Sequence, residues 1–249
     1  QWRSGDFDGT RPDYIMLCLP PGTNGGWIAY AYINWYISVY NNQWCEYPSA
    51  QLHEIGHNIN LAHSGETQTY DDQSGMMGYS YSQDEGPIMC FNGAKTWQLG
   101  WFSDYHHEEL AGPDYIDETI ELKGFVDRDS IAADEKMIIR IADSTNGDLY
   151  IHYNRQSGFN SGTKEGGNRV MVSSKTGAPS AYSVSTLKAK LNVGGVHTVS
   201  NFRGNGVLTV TVDSIATTNP HIATVSIIWG TPPPPPSTPD PTPDPTPDP

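Results

Sequence analysis

The chain has 249 residues and a formal net charge of −14, from 28 acidic against 14 basic side chains. That balance makes nucleic acid and anionic membrane surfaces poor partners. No apolar run reaches the roughly 18 residues a membrane-spanning helix needs, so no membrane insertion is expected. The chain begins at Gln1 rather than Met and carries no signal peptide, so it reads as a processed or excised piece whose compartment stays open.

In chain order, Asp13-to-Leu19 and Trp27-to-Tyr40 read as two or three strands rich in β-formers. Cys18 lies in the first of these runs, and Cys45 comes shortly before the next element. A helix is expected to open after Pro48, with Ser49 as its N-cap. Leu52, Ile55 and Ile59 recur at helical spacing and form one apolar face. On another face His53 and His57 stand one turn apart. Glu54 follows His53 by about 100° around the axis. Asn60 is the expected helix stop, because Asn tolerates the left-handed conformation, and a reversal there swings His63 back towards the other two histidines. Three neutral imidazoles with a carboxylate beside them leave a fourth coordination position open, as a catalytic zinc site does and a structural one does not. An H-E-x-x-H pair alone also arises on ordinary amphipathic helices; the third histidine beyond a helix stop favours the metal site.

Further on, Asn92 to Gln98 reads as a short helix ended by Gly100, and Ala111-Gly112-Pro113 as a hinge. From about residue 116 the pattern changes to short β-rich runs: Thr119-to-Leu122, Met137-to-Ile141, Leu149-to-Tyr153, Arg169-to-Ser173, Val207-to-Val212 and Ala223-to-Trp229. Asn146-Gly147 is a hairpin signal between two of them. These runs predict an antiparallel β-sandwich. Ser161-to-Gly167 lacks the order of a phosphate loop and reads as a connection. His106-His107 is expected to be a solvated pair rather than a second metal site, and His152, His197 and His221 sit singly in strand-like contexts. From Thr231 the chain repeats Thr-Pro-Asp-Pro, which cannot build a core and should form an extended polyproline II spacer, with a further domain beyond it a possibility.

The wording His53-Glu-Ile-Gly-His57-Asn-Ile-Asn60-Leu-Ala-His63, then Ser74-Gly75-Met76-Met77-Gly78-Tyr79 and Trp97-Gln98-Leu99-Gly100-Trp101, resembles the gametolysin family of metzincin peptidases, with Asn60 where the metzincin motif usually has Gly. Trp27-to-Tyr32 and Ser38-Val39-Tyr40-Asn41 are also similar to that family. The resemblance implies a secreted zinc endopeptidase acting on protein or glycoprotein substrates of the extracellular matrix or cell wall. Carried over by position, His53, His57 and His63 would bind Zn2+, and Glu54 would be the general base. Met77 would be the methionine of the turn beneath the metal, with Met76 the alternative, and Tyr79 would bind zinc or stabilise the oxyanion, the alternative being an aromatic simply packed beside the turn. Trp27-to-Tyr32 would be the edge strand on which an extended peptide pairs.

The fold class expected is α+β: a metzincin-like catalytic domain over 1–110, a β-rich domain over 111–230 and the Pro-rich linker 231–249. Only 52 residues precede His53, so the catalytic domain is expected to be N-terminally truncated. Each cysteine can equally be a buried free thiol; if a disulfide forms in a secreted protein, Cys45 with Cys90 is the expected pair, with the third cysteine left over. The alternative to an enzyme is a matrix or wall structural protein that keeps the fold; the presence of Glu54 argues against it, because a scaffold has no need of the base.

Overall fold

The computed structural model describes residues 13–23, 25–78, 88–109, 115–216, 218–219 and 221–231. Tyr79, the expected hinge at Ala111-Gly112-Pro113 and the Pro-rich run from 232 onwards lie outside the described residues.

The first sheet has three short strands. β1 (Ile15–Cys18) runs parallel to β3 (Ile37–Tyr40), and β2 (Ala29–Ala31) pairs antiparallel with β3, in the order β1-β3-β2. The parallel register sets Cys18 opposite Tyr40, and the chain then turns through Asn42–Glu46, which carries Cys45 back to it. The disulfide is therefore Cys18–Cys45, with Cα atoms 5.5 Å apart, and not the expected Cys45–Cys90. Cys90 is a free thiol; its carbonyl accepts from the Met76 amide at 3.1 Å.

The helix that follows, α1 (Pro48–Asn58), begins two residues earlier than an N-cap at Ser49 predicts. Pro48 occupies the first turn, where its fixed φ suits the helix and its missing N–H is no loss. Ser49 lies inside, fully buried, and Tyr47 takes the N-cap position. The apolar face is only half-buried at Leu52, Ile55 and Ile59, whereas His53, Glu54, Gly56, His57 and Asn58 are buried. Asn58 explains part of this: its side-chain amide donates to the carbonyls of Tyr32 and Ile37 at 3.0 and 2.9 Å, fastening α1 to the first sheet. Asn60 takes the left-handed conformation expected of it, with φ +73°.

After His63 comes β4 (Ser64–Gly65), and after the turn below it α2 (Gly93–Gln98). Asn92 caps α2, its side chain accepting from the Lys95 amide, and Gly100 follows with φ +69°. The remaining strands are β5 (His106–Glu109), β6 (Tyr115–Lys123), β7 (Ile138–Ile141), β8 (Asp148–Asn154), β9 (Arg169–Lys175), β10 (Ser185–Leu191), β11 (Val196–Ser200), β12 (Val207–Ile215) and β13 (Ile222–Gly230). They form a six-stranded sheet in the order β4-β10-β9-β8-β7-β5 and a four-stranded sheet β11-β12-β13-β6. The whole is α+β, mostly sheet with few helices.

Both larger sheets contribute to one apolar core, through Ile120, Val210 and Val225 from one and Ile139, Ile151 and Val172 from the other. β12 and β13 alternate buried and half-exposed positions, as strands with one wet face do. β8 is buried on both faces. Leu149, Ile151 and Tyr153 point into that core, while Tyr150 packs with Ala94, Met137 and Ile138 beside α2. The six expected runs are all strands, each longer than or close to its expected span. The β7–β8 connection is a six-residue loop rather than a tight turn: Gly147, at φ +87°, donates to the Asp143 carbonyl. Among the described residues no helix is long and apolar enough to cross a membrane.

Candidate active site

The helical repeat puts His53 and His57 on the same side of α1, with ring centroids 4.9 Å apart. The reversal at Asn60 brings the His63 ring to 5.2 Å from His53 and 4.6 Å from His57. One candidate ligand atom from each of the three lies within 4.8 Å of the others, so the trio could hold a metal ion. Among the described residues no other such group of three occurs.

Two backbone carbonyls settle the chemistry of the rings. His53 Nδ1 lies 2.9 Å from the Met76 carbonyl oxygen, and His57 Nδ1 lies 2.7 Å from that of Leu61. A carbonyl only accepts, so each Nδ1 carries the hydrogen and each lone pair is on Nε2. Burial pushes His53 down to about 3, with the neighbouring His57 and His63 adding to the effect, and it pushes His63 down to about 4. His57 is lowered as well, chiefly by burial. All three are therefore neutral at neutral pH, as metal-binding imidazoles must be. Beside them burial pushes the Glu54 carboxyl up to about 7, and its Oε2 has no hydrogen-bond partner among the described residues. Nitrogen donors with fixed tautomers and an orphaned buried carboxyl suit zinc and an attached water.

The turn Ser74-Gly75-Met76-Met77-Gly78 lies directly below. Met76 supplies the carbonyl to His53, and its side chain packs with Met89, Leu52 and Phe91. Met77, 1 % exposed, lies against Gly56: a β-carbon there would collide with its sulfur. The Met77 carbonyl accepts from the Ser64 amide at 3.0 Å. Buried Asp72 ties the turn to α2, accepting from the Ser74 amide at 3.1 Å and the Asn92 side chain at 2.8 Å.

A cleft of about 600 Å³ opens over the histidines. β2, at the edge of its sheet, lines it with Ala29, Tyr30 and Ala31. Two further lining residues, Tyr70 and Tyr182, were not anticipated from the sequence. The Tyr70 ring lies 4.4 Å from that of His63 and 6.0 Å from that of His53, on a backbone at φ +71°. For a bulky side chain that conformation is an outlier. The only local hint is Asp71, whose carboxylate accepts from the Thr67 and Gln68 amides and closes a tight loop that contains Tyr70.

A gametolysin peptidase M11 family model matches residues 5–191. The chain belongs to that peptidase family. The match takes in all three histidines, Glu54, the methionine turn, Tyr70 and Tyr182, and ends with β10. No curated protein and no solved structure matches.

The other histidines of this gametolysin-family chain lie apart from the site. His107 pairs with Glu118 at 2.7 Å, and His106 stacks on Trp97 with centroids 3.9 Å apart; both are half-buried. His152 is buried in β8.

Proposed function

We propose that the protein is a secreted zinc-dependent endopeptidase that cuts peptide bonds in extracellular matrix or cell-wall glycoproteins. The observation that carries this reading is the convergence of three neutral imidazoles beside a buried carboxyl, one of whose oxygens has no partner among the described residues, in a cleft bordered by an edge strand. His53 and His57 would hold the metal through Nε2, with His63 as the third ligand. Zinc, when bound, supplies Lewis-acid chemistry, acidifying water and polarising a peptide carbonyl. Glu54, with a carboxyl poised near neutrality, takes the proton from the attacking water and returns it to the leaving amine. The Met76 and Leu61 carbonyls keep two of the imidazoles in the required tautomer. Edge strand β2 offers its backbone to an extended substrate. A peptide inhibitor that bound without pairing to residues 27–32 would rule that last element out.

The β-sandwich expected over 111–230 belongs to the same proposal, supported by the apolar core common to the two larger sheets. The test of the function is metal analysis together with cleavage of a denatured protein, comparing wild type with Glu54→Ala. Stoichiometric zinc in both, and a loss of cleavage of about 10²-fold or more in the variant, is the expected result. Zinc binding without Glu54-dependent proteolysis would mean a binding protein that kept the fold.

A further inference from the structure

The cleft is not built by α1 and the first sheet alone. Tyr182 comes from the loop joining β9 to β10, more than a hundred residues beyond His63, and it is 40 % exposed where it lines the cleft. That loop is anchored in an unusual way. Lys175, 1 % exposed, donates from Nζ to the carbonyls of Ala178 and Pro179, both at 2.9 Å. Lys95 of α2, fully buried, donates from Nζ to the Ser183 carbonyl at 2.7 Å. The Ser183 hydroxyl closes the loop on the Thr176 carbonyl at 2.8 Å. Two buried lysine amino groups, costly to take out of water, thus grip the backbone on either side of Tyr182.

Just after the loop, the Ser185 amide donates to the His63 carbonyl at 3.2 Å and its hydroxyl meets the Asn92 side chain at 3.1 Å. The loop is therefore fixed to the third histidine and to the helix that braces the methionine turn. Tyr182 and Tyr70 lie close enough to interact electrostatically. Besides the three histidines, Glu54 is the only ionisable acid or base among the described lining residues other than tyrosines. Apart from Glu54, which the proposed reaction uses, a charged substrate side chain would find no carboxylate, lysine or arginine among the described lining residues, whereas the tyrosine rings offer apolar contact.

We propose that Tyr182 is a substrate-binding residue, contacting an uncharged, apolar side chain next to the scissile bond, and that Lys95 and Lys175 are positioning residues that hold it in the cleft. This rests on the peptidase function proposed above. It extends that function by making the β-rich part of the chain a contributor to specificity.

The experiment uses the zinc-loaded full chain and fluorogenic peptides that differ beside the cleavage point. Tyr182→Ala should lower kcat/KM for the best apolar peptide about tenfold, mostly through KM, and flatten the preference over charged peptides. On a Glu54→Gln background the same uncleaved peptide should lose affinity by a similar factor in calorimetry, with zinc content unchanged. Lys175→Met should show the same KM defect while Tyr182 is present, and the double variant should be no worse than either single one. If Lys175→Met does not unfold cooperatively, Ser183→Ala replaces it, with a defect of about threefold expected from freeing the exposed closure of the loop. Unchanged KM and preference in Tyr182→Ala would overturn the substrate role, and multiplicative defects in the double variant would overturn the positioning role. Wild-type protein without Glu54-dependent cleavage would instead remove the peptidase function, and this inference with it.

Discussion

Replacing His152 by leucine should make the stability of the protein less sensitive to acid. The imidazole lies on β8, 1 % exposed, flat against Phe125 with ring centroids 5.3 Å apart and planes 3° apart. It sits beneath Gly93, where a β-carbon would come within 2.8 Å of Nδ1, and that nitrogen has no hydrogen-bond partner among the described residues. Burial pushes its pKa from 6.5 down to about 3. Between those two values the unfolded chain binds a proton that the folded one does not, so stability is lost as pH falls through 6.5 towards 3. Each unit is worth about 1.36 kcal/mol, so the 1.5 units from 6.5 to pH 5 amount to about 2 kcal/mol. Urea unfolding of wild type and His152→Leu at pH 5, 6, 7 and 8 measures this, because every other titrating group is common to both and cancels in the difference. At pH 7 to 8 the variant should be less stable by about 1–2 kcal/mol from lost ring packing. That gap should close by about 2 kcal/mol at pH 5. A gap that stayed constant within about 0.5 kcal/mol would refute the reasoning, since His152 would then titrate alike in both states.

Gly78→Ala should destabilise the fold by about 1–3 kcal/mol, because its β-carbon would press on two backbone oxygens, those of Asp72 and Ser64, the latter at 2.7 Å; thermal unfolding measures it, and an unchanged midpoint would contradict the packing of the methionine turn. Tyr70→Asn should raise stability by up to about 1 kcal/mol, because Asn tolerates the φ of +71° that strains tyrosine. The same variant should lower peptide cleavage by removing the ring beside His63, and a fall in melting temperature would show that the backbone is not strained. Paired Cys18→Ser and Cys45→Ser changes should cost about 3.5 kcal/mol in denaturant unfolding, as expected for a link across 27 residues of chain. Burial pushes the Cys90 thiol up to about 12, so mass spectrometry should find it unmodified after iodoacetamide treatment of the folded protein at pH 8.

The histidine cluster was legible in the sequence because its geometry is local. Helical spacing aligns His53 with His57, and one residue able to take positive φ, Asn60, returns His63 to them within six positions of His57. The strands with near-continuous apolar runs, such as β7 and β8, were legible for a similar reason. Those with a wet face or polar content were not: β10 contains Lys188 and Lys190, and β11 alternates half-buried with exposed residues and offers too little apolar contrast. Ser49 was misread because Ser-after-Pro fits an N-cap pattern, while Pro48 itself can be the first helical residue, which moves the cap two positions back to Tyr47. The disulfide was misassigned because the pairing depends on the parallel register of β1 and β3, which sets Cys18 beside the chain leading to Cys45. No periodicity encodes that register.

Tyr70 and Tyr182 were illegible for the most informative reason. Neither belongs to a motif: Tyr70 is aimed by a local loop with no sequence periodicity, and Tyr182 reaches the cleft through contacts made far away in sequence. β4 pairs parallel with β10, with Ser64 opposite Ser185, immediately after the third histidine. Ser74 in the methionine turn receives a hydrogen bond at its carbonyl from the Thr163 hydroxyl, and Gln73 receives the Lys164 amide at its own. Lys95 reaches across to Ser183. The site's floor is thus hydrogen-bonded to residues 163–185 at several independent points, and those bonds are made by backbone groups or buried polar side chains, which lose most when left unpaired. An eleven-residue motif can specify where three imidazoles point. It cannot specify what stands beside them, and in this protein the sheet that completes the cleft also holds the third histidine's loop in place.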